Sequence, residues 1–302
     1  LLFTKTGNTD HVKKVVAKIK RAAVFESETA IYQAAKLPFI IPEMRENVAE
    51  WKFKRDPDDL ITLKHIKGVV HNHTTYSDGV DSLENFVHAC IHKSYEYTVI
   101  SDHSQNAYYA GGLKEEKVIK QWKEIDSLNK KVKPFHIFKS IECDIRISGE
   151  LDYEDSFLKK FDLLIISIHQ LLKMDEPTAT KRLIKAIENP LATILGHMTG
   201  RQLLIRSGYP VNHKKIIDAC AANKVVIELN SNPYRLDMDW SYIPYALEKG
   251  VMISINPDAH SIREIDNIQW GVAAARKGGL TIDRTWNALS LPQIKQWLAT
   301  KK

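Results

Sequence analysis

Cysteine is scarce in this sequence. Cys90, Cys143 and Cys220 are the only three among 302 residues, and no two of them form a Cys-x-x-Cys pair. An odd number of widely spaced cysteines argues against a disulfide framework and against a cysteine-based zinc site. This pattern is typical of a protein in the reducing cytoplasm, which is where we expect this one.

Long apolar runs and targeting signals are also missing. The apolar run FDLLIISI (161–168) is far shorter than the roughly 20 residues that span a membrane. The N-terminal residues LLFTKTGNTDH lack the basic start and long apolar stretch of a signal peptide. We therefore expect no membrane partner. Because the first residue is not methionine, we expect the chain to be a piece of a longer protein.

The sequence has neither a GxGxxG motif nor a P-loop, but from residue 67 on apolar runs alternate with amphipathic ones. Apolar strands that alternate with helices indicate parallel βα units in an α/β fold, with both faces of the sheet buried. Seven such units favour a distorted TIM-like (β/α)7 barrel, closed into one ring, over an open sheet. The predicted strands are GVVHNH (68–73), YTVIS (97–101), HIFKSIECD (136–144), DLLIISIH (162–169), ATILGH (192–197), VVIELN (225–230) and VMISINPDAH (251–260).

Residues 1–50 differ from the rest of the chain. DHVKKVVAKIKRAAVF (10–25) has apolar residues at helical spacing, with five Lys or Arg and no acid between residues 13 and 21. ETAIYQAAKL (28–37) predicts a second helix, and residues 51–66 have the composition of a polar linker. We therefore expect a short helical segment (1–50), a linker (51–66) and one larger domain (67–302). The net charge of +6 suits a polyanionic partner without requiring one.

Chemically active side chains recur at the C-terminal ends of the predicted strands, where the functional residues of βα barrels lie. The first strand ends in His71-x-His73 and the last in Asp258-x-His260. Residues i and i+2 of an extended segment point to the same face, so each pair converges. The strand ends and their loops supply nine candidate ligands: His71, His73, Asp78, His103, Glu142, His169, His197, Asp258 and His260. The other six histidines are assigned no function: His11, His65, His88, His92, His136 and His213.

Imidazole and carboxylate ligands suit zinc, manganese or iron without any thiolate. At about four ligands per ion, nine ligands would hold two or three divalent ions, with Glu142 as a bridge. Such a cluster activates water and neutralises phosphoryl oxygens during in-line displacement. Any one of the nine could instead be a capping or supporting group, but for the whole set we predict metal binding.

The order of these motifs resembles the PHP (polymerase and histidinol phosphatase) superfamily of metal-dependent phosphoesterases. HxH, SDG, DH, a lone glutamate, two lone histidines and a final DxH follow one another from residue 67 to about 300. HNHTTYSDG, ISDHS, GHMTGRQLL, LNSNPYRLD, INPDAHS and GVAAARKGGL look like the PHP domain fused to the C-terminus of family X DNA polymerases. LLFTKTGNTDH and ETAIYQAAKLPFIIPEMREN resemble the end of the polymerase thumb and its exit into the PHP domain.

The resemblance implies that activated water attacks phosphorus with no covalent protein nucleophile. In the polymerase-linked branch the implied activity is a manganese-favoured 3′-5′ exonuclease, in some members with 3′-end phosphatase or abasic-site nuclease activity. A phosphatase of the histidinol phosphate type would use the same metal site and stays an alternative. A non-catalytic, metal-stabilised polymerase scaffold is a third reading, but scaffolds of that kind lose ligands, and all nine are present here.

Glu142, His103 and Asp258 are predicted to take part in catalysis as well as in metal binding. Asp102 and Asp144 adjoin predicted ligands and are predicted to orient them.

Contacts to the substrate are predicted outside the ligand set. Arg201 in TGR and Arg235 in NPYR follow strand ends, and guanidinium groups bind phosphate bidentately. A structural role is the alternative for each. The basic residues 13–21 could hold the DNA backbone without reading its sequence; a solvated helix face is the alternative. The expected partners are thus DNA and the polymerase domains of a longer chain.

Overall fold

The computed structural model describes residues 2–20 and 23–301. Within those ranges the chain forms eight strands and eleven α-helices. The strands are β1 (Gly68–Asn72), β2 (Tyr97–Ile100), β3 (His136–Lys139), β4 (Glu142–Asp144), β5 (Ile165–Ser167), β6 (Ile194–Leu195), β7 (Val226–Asn230) and β8 (Ile253–Asn256). The helices are α1 (Leu2–Thr6), α2 (Thr9–Val16), α3 (Glu28–Ala34), α4 (Leu83–His92), α5 (Glu115–Lys131), α6 (Asp155–Leu158), α7 (Glu176–Ile187), α8 (His213–Ala222), α9 (Ile243–Glu248), α10 (Ile268–Lys277) and α11 (Leu291–Lys301).

The strands all pair in parallel, which confirms the α/β class. They form a three-stranded sheet in the order β1-β2-β3 and a five-stranded sheet in the order β4-β5-β6-β7-β8. The prediction of one closed barrel therefore needs correction, because the hydrogen-bond ladder is interrupted between the two sheets. A distorted ring remains, since the two sheets touch at both of their junctions.

The first junction lies inside the predicted third strand, HIFKSIECD. Its first half is β3, where Lys139 pairs with Ile100 of β2. After a break at residues 140–141 the second half is β4, where Glu142 pairs with Ile165 of β5. Residues 136–144 thus belong to both sheets and connect one to the other.

The second junction, between β1 and β8, is completed by a side chain. Asn287 donates from Nδ2 to the carbonyl oxygens of Gly68 (3.3 Å) and Ile255 (2.7 Å). Its Oδ1 accepts from the Ile255 amide at 3.0 Å. Beyond it, the His73 amide donates to the Ala259 carbonyl at 2.8 Å. Asn287 therefore replaces a missing part of the backbone ladder.

The N-terminal residues have a hydrophobic cluster of their own. It contains the buried side chains Phe3, Val15, Tyr32, Ala35, Ile40, Met44, Ala49 and Leu60. His11 is buried in the same region, between Glu50 (2.8 Å) and Tyr32 (2.7 Å). Its position gives it a structural role.

Two features of this region differ from expectation. Residues 51–66 are only partly a polar linker, because Leu60 and Ile61 are fully buried and the Ile61 amide donates to the Leu280 carbonyl at 3.0 Å. The predicted basic helix ends at Val16. Of its five basic residues, Arg21 lies outside the described residues. In the described part of the chain, no helix combines the length and apolar character needed to cross a bilayer.

Candidate metal centre

The structure brings all nine predicted ligands together. Eight lie at or beyond the C-terminal end of a strand, whereas Glu142, predicted at a strand end, is the first residue of β4. They form four overlapping groups, and the ligand atoms within each group lie within 4.8 Å of one another. The groups are His71, His73 and Asp258; His71, Glu142 and His197; His103, Glu142 and His169; and His73, Asp78, His103 and His260. Because the groups share members, they form one continuous cluster.

Glu142 lies at the middle of this cluster and is only 1% exposed. Its Oε1 faces Nε2 of His71 (3.2 Å), His169 (3.0 Å) and His197 (2.9 Å). Its Oε2 faces Nδ1 of His103 at 3.0 Å. The two oxygens of one carboxylate thus face different histidines, which is the arrangement expected of a bridging ligand.

The backbone at two ligands is held in an unusual conformation. His71 has φ of 65° and Asp258 has φ of 51°, a left-handed region that is rare for residues other than glycine. These two residues lie at the junction of β1 and β8, where the Ala259 amide donates to the His71 carbonyl at 3.2 Å. Backbone strain of this kind is typical of functional sites.

The Ser-Asp-Gly turn that follows β1 is packed closely against that strand. A Cβ atom on Gly79 would lie 2.4 Å from the His73 carbonyl oxygen, so only glycine fits. This packing holds Asp78 near Nδ1 of His73 (3.6 Å) and Nε2 of His260 (3.5 Å). The turn therefore supplies the outermost carboxylate of the cluster.

The cluster keeps its carboxylates charged despite burial. Burial alone would raise the pKa of the Glu142 carboxyl, but the neighbouring His169, His71 and His103 outweigh burial and hold this pKa well below its usual range. Burial alone would likewise lower the pKa of His169, whereas Glu142 and Asp144 raise it to about 10. For His73 burial dominates and lowers the pKa to about 3.

Several buried polar atoms in the cluster lack hydrogen bonds of acceptable geometry to any described residue. Buried polar atoms without partners are rare in folded proteins, and each calls for an explanation. The atoms are His71 Nε2, His73 Nδ1 and Nε2, His103 Nδ1, Glu142 Oε2, His169 Nε2 and His197 Nδ1. Imidazole nitrogens and carboxylate oxygens in this arrangement are the donor set of zinc, manganese and iron. The residues present therefore fit divalent metal ions.

A supporting carboxylate was missed at the sequence level. Glu228 is fully buried on β7, and its Oε2 accepts from His71 Nδ1 at 2.6 Å. Glu228 also accepts from the His197 amide at 3.0 Å and from Asn256 Nδ2 at 2.8 Å. It thus fixes the orientation of one candidate ligand and the backbone of another. The available signal was an acidic residue between Ile227 and Leu229 in an apolar strand.

The two carboxylates predicted to orient ligands are placed differently. Asp144 contacts Nδ1 of His169 directly. Asp102 instead accepts from the Thr74 amide (2.8 Å) and the Ser77 hydroxyl (2.6 Å). Asp102 thus stabilises the turn that carries Asp78 and contacts no candidate ligand itself.

The two arginines predicted to bind phosphate also have different surroundings. Arg201 donates to the carbonyl oxygens of Arg235 and Leu236 and, at 3.0 Å, to Asp239. Its guanidinium is thus engaged in holding a neighbouring loop. Arg235 forms an ion pair through Nε with Asp258 Oδ2 at 3.2 Å. No hydrogen bond to a described residue occupies its terminal nitrogens, which lie at the edge of the cluster.

Comparison with known proteins gives consistent relationships. The PHP domain family matches residues 70–232. The chain is 40% identical over 274 residues to the "DNA polymerase/3′-5′ exonuclease PolX" of Bacillus subtilis (strain 168), covering 91% of this chain and 48% of that protein. It is 27% identical over 233 residues to a "probable phosphatase" of Thermoanaerobacter sp. (strain X514), covering 70% of this chain and 92% of that one. The chain thus spans about half the length of the Bacillus relative.

A solved structure shares the fold. It is the histidinol phosphate phosphatase of Lactococcus lactis subsp. lactis Il1403, in complex with zinc, L-histidinol and phosphate. The TM-score is 0.55 at 15% sequence identity, over 71% of this chain and 94% of that one. This similarity supports a TIM-like arrangement of the strands.

Proposed function

The chain belongs to the PHP domain family of metal-dependent phosphoesterases, and we propose that it is the 3′-5′ exonuclease module of a family X DNA polymerase. In this proposal it hydrolyses the phosphodiester bond at a DNA 3′ end. Two or three divalent ions would be held by the nine clustered side chains, with manganese as the ion that best supports activity.

One observation carries the proposal. Glu142 is shared by two ligand groups, and Asp258, a member of another, forms an ion pair with Arg235 at 3.2 Å. A buried cluster of metal ligands thus has a guanidinium at its edge whose terminal nitrogens form no hydrogen bond to the described residues. This combination suits a phosphate ester, whose anionic oxygens need both cations and hydrogen-bond donors.

The side chains around the cluster have two roles in this proposal: some bind the phosphate and others position the metal ligands. Divalent ions bound there would supply an activated water molecule and neutralise the phosphoryl oxygens. Arg235 would donate from its terminal nitrogens to a non-bridging oxygen and hold the phosphate in place. Asn230 keeps Asp258 in position by donating to its Oδ2 at 3.1 Å. Glu228 keeps His71 in position by accepting from its Nδ1 at 2.6 Å.

The choice of DNA over a small phosphate ester rests on similarity. The relative with 40% identity is a polymerase with 3′-5′ exonuclease named in its description. The probable phosphatase is less similar, although this chain covers 92% of its length. That coverage keeps a phosphomonoesterase as the second candidate function.

The test is hydrolysis of a 5′-labelled single-stranded oligonucleotide with manganese, magnesium or zinc. We expect a ladder of products that shorten from the 3′ end, with the highest rate in manganese. Arg235→Ala should raise KM without reducing bound metal, whereas Arg235→Lys should restore only part of the affinity because ammonium does not bind phosphate bidentately.

Two results would contradict the proposal. One is that the protein hydrolyses histidinol phosphate rapidly but does not cleave the oligonucleotide, which would favour the phosphomonoesterase. The other is no hydrolysis of any phosphate ester by the metal-loaded protein, which would favour the scaffold. Glu84→Gln, on the exposed face of α4, serves as the control for handling and folding.

A further inference from the structure

Two aromatic side chains project from a loop at the mouth of the metal centre. Tyr108 and Tyr109 lie in a 3-10 turn (Tyr108–Ala110) between β2 and α5. They are 79% and 59% exposed, and their rings meet edge to face with centroids 6.2 Å apart. Adjacent exposed aromatic rings beside a ligand cluster call for a binding partner.

The loop that carries these rings is firmly anchored. Ala107 is fully buried, and the Asn106 amide donates to Asp152 at 2.7 Å. Gly112 is packed so closely that a Cβ atom there would lie 2.0 Å from the Ser104 carbonyl oxygen. The Leu113 amide then donates to the His103 carbonyl at 2.8 Å. The rings are therefore exposed on a fixed support.

The distance to the cluster fits a nucleotide. The ring centroid of Tyr109 lies 6.4 Å from that of His103, one of the candidate ligands. A phosphate at the cluster would therefore leave its attached nucleoside within reach of the Tyr109 ring. Burial and the carboxylates of Asp144, Glu142 and Asp78 raise the pKa of the Tyr109 hydroxyl, and the Arg235 guanidinium opposes them, so this hydroxyl lies beside the same charges as the cluster.

We infer that Tyr108 and Tyr109 form a stacking surface for the unpaired bases at the 3′ end of single-stranded DNA. This inference rests on the proposed exonuclease function and specifies its substrate as a strand with free base faces. Stacking on an aromatic side chain is tolerant of sequence, because every base has a flat face. The surface would position the terminal nucleotide so that its phosphate reaches the metal ligands.

The first test measures binding. An oligonucleotide with 2-aminopurine at the 3′ terminus and phosphorothioate linkages, which slow cleavage, is titrated with the protein. Stacking should quench the fluorescence of the wild-type complex. Tyr109→Ala should weaken binding about 10-fold, the loss expected for one stacked base, and abolish the quench. Tyr109→Phe keeps the ring and should restore both.

The second test compares substrates in the hydrolysis assay. For a 3′ end that bears bases, Tyr109→Ala should raise KM about 10-fold with metal content unchanged. For an oligonucleotide that ends in tetrahydrofuran residues without bases, the variant and wild type should have equal KM. Trp270→Ala, which removes an exposed aromatic from α10, should leave both substrates unaffected.

The outcomes separate this inference from the proposed function. Equal losses with and without bases, or no loss at all, would overturn the stacking surface even if the protein is an exonuclease. If the wild type cleaves no DNA but the fluorescence quench still depends on the Tyr109 ring, the exonuclease proposal fails and the nucleobase site stands.

Discussion

Glu142 faces five histidines through its two oxygens, so its replacement tests the cluster directly. Glutamine has the same size but lacks the charge that would offset two cations. We expect Glu142→Gln to lower both metal content and turnover, with a loss of about 100-fold in rate. Mass spectrometry of bound metal beside steady-state kinetics measures both, and excess metal should not restore the rate. Full occupancy with near-normal turnover would show that Glu142 is only structural.

Glu228 should behave differently, because it acts through His71. Its Oε2 accepts from His71 Nδ1 and Asn256 Nδ2, and its Oε1 accepts from the His197 amide and Asn230 Nδ2. In either orientation, the NH2 of a glutamine would face two of these donors. We expect Glu228→Gln to weaken metal binding by about 10- to 100-fold. Turnover should recover at high manganese concentration, which distinguishes Glu228→Gln from Glu142→Gln. A turnover that stays low at saturating metal would place Glu228 in the chemistry itself.

Arg201 shows what the sequence could and could not predict at the level of single residues. The nine candidate ligands were recognisable because polar residues at the ends of apolar strands must share one rim of the ring. The partners of Arg201 were not, because two of them are carbonyl oxygens of Arg235 and Leu236, and backbone acceptors carry no sequence signal. Its role in phosphate binding stays a prediction, and its contacts favour an indirect one that positions Arg235.

The strands themselves were predictable from the sequence, but the way they close into a ring was not. All seven predicted strands are present, since a run of apolar residues marks a buried strand. A closed ring implies that the first and last strands meet, but the division at residues 140–141 and the means by which β1 is joined to β8 were not predictable. The second depends on Asn287, which lies 219 residues beyond Gly68 in the sequence. Contacts over such separations are fixed only by the completed fold.

Removal of Asn287 should therefore open the junction. Asn287→Ala deletes one side-chain hydrogen bond to β1 and two to β8, each of which contributes about 1 kcal/mol. We expect the free energy of unfolding in urea to fall by about 3 kcal/mol. Asn85→Ala on the exposed face of α4 is the matched control and should change it by less than about 0.5 kcal/mol. Equal effects of the two substitutions would mean that the backbone alone closes the ring.

The ion pair that holds α3 predicts a pH dependence. The buried Arg45 donates to Glu28 Oε1 at 2.6 Å, and this hydrogen bond lowers the pKa of the Glu28 carboxyl below its ordinary 4.5. A carboxyl with a lowered folded-state pKa contributes stability above about pH 4.5, and the contribution is lost as the pH falls through the folded value. We expect Glu28→Gln to lower the free energy of unfolding by about 2 kcal/mol at pH 7, and the difference from wild type should shrink below pH 4.5. A difference independent of pH would exclude the ion pair as its cause.

At the scale of the whole molecule, charged pairs connect the N-terminal cluster to the ring. Arg276 contacts Glu43 at 3.1 Å, and Lys277 contacts Glu46 at 2.7 Å. We expect the double reversal Arg276→Glu and Lys277→Glu to speed limited proteolysis between residues 50 and 60, with metal content unchanged. High salt should also speed cleavage of the wild type, because it screens the exposed charges of these pairs. Unaltered proteolysis would show that Leu60 and Ile61 alone hold the two parts together.

The candidate ligands and the candidate substrate contacts have separate origins in the chain. The ligands come from strand ends or from the short turn after β1, whereas Tyr109 and Arg235 lie on longer loops. Mutation, insertion or exchange of a loop can therefore change which ester is bound while the ion-holding rim is inherited intact. A nuclease and a phosphatase can on this plan share one set of ligands and differ only in the loops that contact the ester. Grafting residues 104–113 onto a phosphatase of the same fold would show how far one loop changes the preferred substrate.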